Sequence, residues 1–284
     1  MKILILGANG MTGHLLTIYF MKHGYDVTAY VRRPFPGCDY IIGDAFDTGH
    51  LRNIIHSGNY DVIINCIAIL NQNAEDHHAD AVFLNSYLPH FIADSIKLQS
   101  TKLVHISTDS LFAGNAGPYS ESRVCDSTSF YGRSKALGEV VDNKNLTFRT
   151  CIIGPDVNEN GIGLFNWFMS QSDVVHGYTG AIWTGVTSLT LAKAIEQSIR
   201  EGITGLYTLV NNKSISKFDL LSLFNHFFRN DDIKIIPDDK LKLDRSLFNS
   251  RKDFSFIVPD YEEQIREMYE WCVDNKSLYK HYRI

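Results

Sequence analysis

The sequence has no long apolar run, no closely spaced pair of cysteines and no excess of basic residues, and each absence excludes a class of protein. No stretch approaches the roughly 20 apolar residues that a membrane-spanning helix needs, so we expect no membrane segment. The five cysteines are scattered and odd in number, which argues against a disulfide scaffold and fits a reducing cytoplasm. The formal net charge of -5 argues against nucleic-acid binding as the main function.

A secretory signal and a metal site are also not expected. Met1 and Lys2 lead directly into the apolar run 3–6, which is too short for the core of a signal peptide, so we expect a cytoplasmic protein. His77 and His78 are adjacent and therefore point to different sides of a helix. No further histidine or acidic residue completes a set with the spacing of metal ligands, so no metal is expected.

Short apolar runs alternate with helical patterns over the first two-thirds of the chain. The predicted strands cover 2–6, 26–31, 40–42, 62–66, 103–107 and 147–153, and the predicted helices cover 13–23, 48–56, 79–98 and 131–142. Several strands are β-branched and apolar throughout, as expected when both faces of a sheet are covered. This alternation predicts an α/β fold with a doubly wound parallel sheet, of the Rossmann type.

The regular alternation of strand and helix patterns ends at Gly154-Pro155, which predicts a second structural unit. We expect residues 1–154 to form a dinucleotide-binding domain, with 185–210 packing back on it. Residues 155–184 and 211–284 are predicted to form a smaller C-terminal substrate-binding lobe over the carboxyl ends of the strands. The elements predicted after residue 155 are helices at 165–170, 188–201, 216–228 and 261–275 and strands at 206–210 and 233–236, of which 188–201 and 206–210 belong to the segment that packs back on the first domain.

Three glycines, Gly7, Gly10 and Gly13, follow the first strand and open the first helix. Glycine lets the backbone turn tightly and approach a pyrophosphate, whose charge is stabilised by the amino end of the helix. The second strand then runs into Arg32-Arg33 where an acidic residue normally binds the adenosine ribose. Arg32 lies 19 residues after Gly13, where it can pair with a 2′-phosphate, which favours NADPH over NADH. The alternative is that both arginines are only solvated.

The other strand ends supply further candidates for the cofactor and the substrate. Asp44 can accept a hydrogen bond from the adenine amino group, and Cys66, Ile67 and Ala68 follow the fourth strand and line the dinucleotide. Asn85 is a polar residue within an apolar helical stretch, where we expect it to help organise the strand behind the active site, and we include it among the candidate substrate residues; an exposed helical asparagine is the alternative.

Tyr131 and Lys135 are four residues apart, so on a helix they share one face. A free phenol has a pKa of about 10, and a nearby ammonium lowers it toward the range useful for acid-base catalysis. We therefore expect Tyr131 to be the general acid and Lys135 to lower its pKa and to bind the ribose of the cofactor. Thr108 follows the fifth strand and is expected to hold the substrate oxygen. The chemistry predicted is hydride transfer between a nicotinamide and a carbonyl or alcohol.

Taken together, these residues resemble the extended short-chain dehydrogenase/reductase family, in its branch of nucleotide-sugar 4-ketoreductases of the dTDP-4-dehydrorhamnose reductase type. The resemblance is carried by Gly7-Ala-Asn-Gly-Met-Thr-Gly13, by Ser107-Thr-Asp-Ser-Leu-Phe-Ala-Gly114, by Pro118-Tyr119 and by Tyr131-Gly-Arg-Ser-Lys-Ala-Leu-Gly-Glu139. It covers residues 1 to about 155 well and the remainder only in outline.

The resemblance implies a role for each matched position. Thr108, Tyr131 and Lys135 would be the catalytic trio, and Thr108 and Asp109 would meet the sugar. The positions implied for the dinucleotide are Gly10, Met11 and Thr12 at the pyrophosphate, Asp44 and Ala45 near adenine, and Ile67-Ala68-Ile69 along its length. The implied enzyme reduces a 4-keto group on a nucleotide-activated deoxysugar for surface polysaccharides, and a homodimer is expected because dimers are common in the family.

Three departures separate the chain from the rhamnose-forming pattern. Ser110 replaces a tyrosine, Ile152 replaces a tryptophan that packs on the sugar, and the acid after the second strand is absent. Trp183 is a candidate for the missing aromatic wall, although a packed hinge residue is an equal alternative. Asp109 stands where related dehydratases carry an acid, so an epimerase or dehydratase of the same family is one alternative function. A non-catalytic dinucleotide-binding regulatory subunit is the other.

Overall fold

A seven-stranded parallel sheet forms the centre of the computed structural model, which describes residues 1–282 and 284. The spatial order of its strands is β11-β6-β5-β4-β1-β2-β3, and every pairing within it is parallel. These strands are β1 (Lys2–Leu6), β2 (Asp26–Val31), β3 (Asp39–Ile42), β4 (Val62–Asn65), β5 (Lys102–Ile106), β6 (Leu146–Arg149) and β11 (Gly205–Thr208). The chain order reverses between β1 and β4, and ligands bind at such a switch point in doubly wound sheets.

Helices connect and cover the strands. They are α1 (Met11–Lys22), α2 (Thr48–Ser57), α3 (Asn71–Asp76), α4 (His78–Ala81), α5 (Leu88–Ser95), α6 (Phe130–Leu137), α7 (Leu164–Met169), α8 (Ser188–Arg200), α9 (Lys217–Arg229) and α10 (Tyr261–Asp274), with a π-helical turn at Val82–Tyr87. Among the described residues, no helix combines the length and apolar character needed to cross a bilayer.

The sheet is buried on both faces because its strands carry apolar residues at successive positions. Along β1, Ile3 and Ile5 belong to one apolar cluster, whereas Leu4 and Leu6 belong to another. Side chains alternate between the two faces of a strand, so each face needs its own cover. Helices α1 and α8 contribute to the first cluster, and α2 and α5 to the second. The predicted doubly wound α/β fold is thereby confirmed.

Two predicted elements are interrupted in the structure. The strand predicted at 147–153 stops at Arg149 and resumes as β7 (Ile152–Ile153), which pairs with β10 (Val186–Thr187) in a separate small sheet. The helix predicted at 79–98 is divided by the π-helical turn before α5. Pro89 has no N–H to donate to the carbonyl of Asn85 four residues earlier, so the regular helical ladder is broken there.

The strand predicted at 233–236 is confirmed as β13, but the other strands of two small sheets in the second half of the chain were not predicted. In these, β9 (Ala181–Trp183) lies between β12 (Ile215–Ser216) and β14 (Leu243–Asp244), and β8 (Val174–Tyr178) pairs with β13 (Lys234–Asp238). Helix α3 was also missed, and α6 ends at Leu137, five residues before the predicted end. At the end of α6 the carbonyl oxygen of Asn85 comes so close to Gly138 that a Cβ there would lie 1.8 Å from it. Only glycine therefore fits at this position.

A buried ion pair joins the end of α6 to β6. Arg149 Nη2 lies 2.6 Å from Glu139 Oε2, and Arg149 Nε donates a second hydrogen bond to Glu139 Oε1 at 3.0 Å. Both side chains are almost fully buried, and Ser107 donates its hydroxyl proton to Glu139 Oε1 at 2.7 Å. The pair therefore holds α6 against the strand end that precedes Thr108.

Glu139→Gln should destabilise the protein by about 3 to 5 kcal/mol, because it leaves the buried Arg149 guanidinium without its counter-charge. Urea unfolding followed by tryptophan fluorescence measures the change. Glu270→Gln is the matched control: Glu270 pairs with Arg266 on an exposed face of α10, where the loss should stay below about 1 kcal/mol. Equal losses in the two variants would contradict the importance of the buried pair.

Candidate active site

A cavity of about 590 Å³ opens at the carboxyl ends of the strands around the switch point. Gly7 follows β1, Arg32 follows β2 and Cys66 follows β4, so adjacent strands each contribute to its wall. The predicted cofactor residues that line it are Gly7, Gly10, Arg32, Arg33, Asp44, Ala45, Cys66, Ile67 and Ala68. Met11, Thr12, Gly13, Tyr131 and Lys135 lie outside its lining.

The glycine turn is shaped so that its backbone is accessible. Gly7 has φ of +82°, and a Cβ on Gly13 would lie 2.3 Å from the carbonyl oxygen of Gly7. Gly10 precedes α1 but provides no side-chain cap, and the first turn of α1 holds no acidic residue. The amide groups at this helix end therefore suit an anionic group. The glycine spacing and the uncapped helix end fit a dinucleotide pyrophosphate.

The two arginines after β2 are exposed at the rim of the cavity. The backbone N–H of Arg33 donates to Asn9 Oδ1 at 3.3 Å, which links this segment to the glycine turn. Within the described part of the chain, neither guanidinium has an ion-pair or hydrogen-bond partner of its own. Both side chains are therefore available to bind a phosphate, as the expected preference for NADPH over NADH requires.

The loops after β3 and β4 complete the cavity wall. Asp44 is exposed, accepts the N–H of Phe46 at its carboxylate, and accepts the hydroxyl of Tyr30 at its backbone carbonyl. Ala45 is buried beside it. On the other side the N–H of Ile67 donates to Asn65 Oδ1 at 3.1 Å, which fixes the start of the loop at 66–68.

Thr108, Tyr131 and Lys135 lie together at the carboxyl end of β5. Thr108 is 8 % exposed and lies beside the hydroxyl of Tyr131, and its Oγ1 lies 3.3 Å from Asp109 Oδ1. Lys135 is 2 % exposed and donates to the carbonyl of Ile106 at 2.7 Å. The hydroxyl of Ser129 caps α6 by accepting the N–H of Gly132 at 3.0 Å, so the helix that carries Tyr131 and Lys135 has a fixed start.

Burial is the largest influence on the pKa values of Tyr131 and Lys135. It raises the pKa of Tyr131, and the charge of Asp109 adds to that rise, whereas the hydrogen bond with Thr108 opposes it. The expectation that Lys135 lowers this pKa is wrong for the structure as it stands. The ammonium of Lys135 is held by Ile106, and burial lowers its own pKa to about 8. Tyr131 is accordingly a neutral phenol over the whole physiological range.

Asn85 joins the cofactor wall to α6. Its amide oxygen accepts the N–H of Ile69, and its amide nitrogen donates to the carbonyl of Ile69 and to Ser134 Oγ, at 2.9, 2.9 and 3.0 Å. Asn85 is fully buried, and each of its polar atoms is used inside the protein. The prediction of a substrate contact is therefore replaced by a positioning role: Asn85 keeps the loop after β4 in register with the catalytic helix.

Two cations that the sequence did not indicate lie near Asp109. Burial raises the pKa of Asp109, and the positive charges of Lys217 and Arg245 oppose the rise. Within the described residues Lys217 has no ion pair and no hydrogen bond, and Arg245 Nε is buried without a partner. Lys217 begins α9 and Arg245 follows β14, and each is more than 100 residues beyond Asp109 in the chain. A local sequence pattern therefore could not predict that they lie close to Asp109.

Trp183 lies beneath this group. It is 2 % exposed, Lys217 Nζ is 5.0 Å from its ring centre, and the ring of Tyr261 is 5.6 Å away. Trp183 is therefore a packed residue, and it does not form an open aromatic wall for the sugar. Its indole N–H is buried without a partner, which leaves one donor unused beside the cations. Over the described chain, no group of three or more histidine, cysteine or acidic side chains could hold a metal.

The family described as "RmlD substrate binding domain" has a model that matches residues 1–243. dTDP-4-dehydrorhamnose reductase of Mycobacterium tuberculosis is 31% identical over 144 residues, which cover 49% of this chain and 44% of that protein. Methionine adenosyltransferase 2 subunit beta of Danio rerio is 29% identical over 142 residues, 49% of this chain and 42% of that protein. The chain thus spans less than half the length of these curated relatives.

Similarity to solved structures extends over nearly the whole chain. The crystal structure of dTDP-4-dehydrorhamnose reductase from Bacillus anthracis in complex with NADP has a TM-score of 0.80. It covers 95% of this chain and 99% of that one at 20% sequence identity. Identity this low establishes a shared fold and nothing further.

Proposed function

The chain belongs to the RmlD substrate binding domain family, and from that premise we propose that it is an NADPH-dependent oxidoreductase of the short-chain dehydrogenase/reductase type. Its reaction would be reduction of a 4-keto group on a nucleotide-activated deoxysugar, as in the making of surface polysaccharides. One observation carries the proposal: a glycine cradle suited to a dinucleotide and the group of Thr108, Tyr131 and Lys135 stand at the same edge of one sheet.

The chemistry divides between the cofactor and the protein. A bound NADPH would supply the hydride for the carbonyl carbon. Thr108 would donate to the carbonyl oxygen and hold it, and Tyr131 would deliver its phenolic proton to that oxygen. The raised pKa keeps Tyr131 protonated until the substrate oxygen, made basic by hydride addition, accepts the proton. Lys135, whose ammonium is anchored by the carbonyl of Ile106, would bind the ribose of the cofactor.

Two unpartnered cations support the proposal that the substrate is a nucleotide-activated sugar. A nucleotide-activated sugar carries a diphosphate, and Lys217 and Arg245 together exceed the single negative charge of Asp109 by one. We assign these two side chains to the anionic part of the substrate. Ser110 and Ile152 leave the sugar pocket without the aromatic residues of the rhamnose-forming pattern, so a deoxysugar other than dehydrorhamnose is favoured. Cytoplasmic location and a homodimer remain expectations.

Two other functions compete with this proposal. An epimerase or dehydratase is favoured by Asp109, which is buried beside Thr108 with a raised pKa. A regulatory subunit is favoured by the similarity to the Danio rerio adenosyltransferase subunit beta. The presence of Thr108, Tyr131 and Lys135 in one buried group supports catalysis over binding alone.

Loss of NADPH absorbance with a panel of dTDP-, UDP- and GDP-linked 4-keto-6-deoxysugars is the direct test. One member should oxidise NADPH, and Tyr131→Phe should lower kcat roughly 10²- to 10⁴-fold by removing the proton donor. Tyr87→Phe, on an exposed part of the π-helical turn, is the control and should keep full activity. If no panel member oxidises NADPH although the protein binds the dinucleotide tightly, the competing functions are favoured. Full activity of Tyr131→Phe would contradict the proposed role of Tyr131 as proton donor.

The preference for NADPH depends on Arg32. Arg32→Ser should raise the KM for NADPH roughly tenfold, because a charge-assisted contact with the 2′-phosphate is lost, and should leave the KM for NADH nearly unchanged. Steady-state kinetics with both cofactors measures the ratio. Arg123→Ser, an exposed position outside the cavity lining, is the control. An equal change for both cofactors in Arg32→Ser would show that this arginine does not read the phosphate.

A further inference from the structure

The segment after α10 carries two buried tyrosines on one turn. Tyr279 is 0% exposed and Tyr282 is 5% exposed, and the N–H of Tyr282 donates to the carbonyl of Tyr279 at 2.9 Å. Their rings are nearly parallel, with centres 5.9 Å apart. Their hydroxyl groups contact His14 and Asn166, and neither tyrosine lines the cavity itself.

Tyr279 reaches the glycine turn through His14. The hydroxyl of Tyr279 accepts the indole N–H of Trp271 at 3.1 Å and lies 2.9 Å from His14 Nε2. The carbonyl of Gly10 can only accept a hydrogen bond, so Nε2 of the neutral imidazole accepts the hydroxyl proton of Tyr279 and the imidazole proton lies on Nδ1. That N–H donates to the carbonyl of Gly10 at 3.1 Å. Burial lowers the pKa of His14 to about 4, so the imidazole stays neutral and this chain of hydrogen bonds persists at physiological pH.

Tyr282 reaches the opposite wall through Asn166. Its hydroxyl accepts the N–H of Asp156 at 2.8 Å and donates to Asn166 Oδ1 at 2.7 Å. The amide nitrogen of Asn166 then faces three carbonyls of the segment 158–162, which we call the covering loop. Those carbonyls belong to Asn158, Glu159 and Gly161, at 3.4, 2.9 and 2.8 Å.

The covering loop lies across the glycine turn. Asn158 and Ile162 line the same cavity as Gly7 and Gly10. Directly after the loop, a Cβ on Gly163 would be 3.2 Å from the sulfur of Met11, the first residue of α1. The loop therefore lines the cavity beside the helix end that suits a pyrophosphate, and one buried asparagine binds three of its carbonyls.

We propose that Tyr279 and Tyr282 are positioning residues of the dinucleotide site. Tyr279 fixes the glycine turn through His14, Tyr282 fixes the covering loop through Asn166, and the shared turn keeps the two walls at a constant separation. This inference rests on the proposed function, since it takes a dinucleotide as the ligand. It assigns a part of the dinucleotide affinity to residues more than 260 positions from the glycine turn.

Tyr282→Phe tests the inference, because it removes one hydroxyl and keeps the ring that packs on Phe165. The Kd for NADPH, measured by titration calorimetry, should rise roughly three- to tenfold, the worth of one or two hydrogen bonds. Amides of residues 156–163 should exchange hydrogen faster, whereas kcat at saturating NADPH should be unchanged. Tyr269→Phe is the control: Tyr269 lies in α10, packs its ring on Phe228 of α9, and should leave Kd and exchange as they are.

A second variant guards against a general loss of folding. Asn166→Ala should weaken NADPH binding as Tyr282→Phe does, and the double variant should bind little more weakly than the weaker single variant, because both act through one contact. Unchanged Kd in Tyr282→Phe, or full additivity in the double variant, would overturn the inference. Failure of the unaltered protein to bind any dinucleotide would instead overturn the proposed function, so the two failures are distinguishable.

Discussion

The buried ammonium of Lys135 is the constraint on which the rest of the site depends. A charge this deeply buried needs polar partners, and Lys135 finds them in the carbonyl of Ile106 at 2.7 Å and in His105 Nε2 at 3.3 Å. His105 can accept because its burial and the neighbouring charge hold its pKa well below the usual range, so its ring is neutral. These contacts require α6 to lie against the carboxyl end of β5 in one register, and that register brings Tyr131 to Thr108.

Several independent contacts hold the same register. Asn85 ties the loop after β4 to Ser134 on α6, and the buried pair of Glu139 and Arg149 ties the other end of α6 to β6. The π-helical turn that presents Asn85 and the early end of α6 at Gly138 meet at one point, the carbonyl of Asn85. Both departures from regular helix therefore lie where the cofactor cavity adjoins Thr108, Tyr131 and Lys135. A shift of the backbone at this point would move the catalytic residues away from the cavity.

Much of this arrangement could be predicted from the chain because it rests on local pattern. The strands β1 and β2 and the glycine turn depend on short runs of apolar residues and on glycine spacing, which a sequence displays directly. The contacts of Lys217, Arg245 and Tyr282 could not be found in this way, since each depends on segments brought together only by folding. The pKa of Tyr131 was misjudged for a related reason: spacing indicates that a lysine is close, but not where its ammonium points or how far burial outweighs it.

The fate of the hydride is the most direct test of the account. NADPH that carries deuterium at the transferable position is incubated with the protein and its 4-keto sugar nucleotide, and the product sugar is examined by mass spectrometry and NMR. The account predicts one deuterium per product molecule, located at carbon 4 of the sugar, with one equivalent of NADP⁺ formed. A product without the label, or an altered sugar formed with no net oxidation of NADPH, would contradict a reductase and indicate an epimerase or a dehydratase.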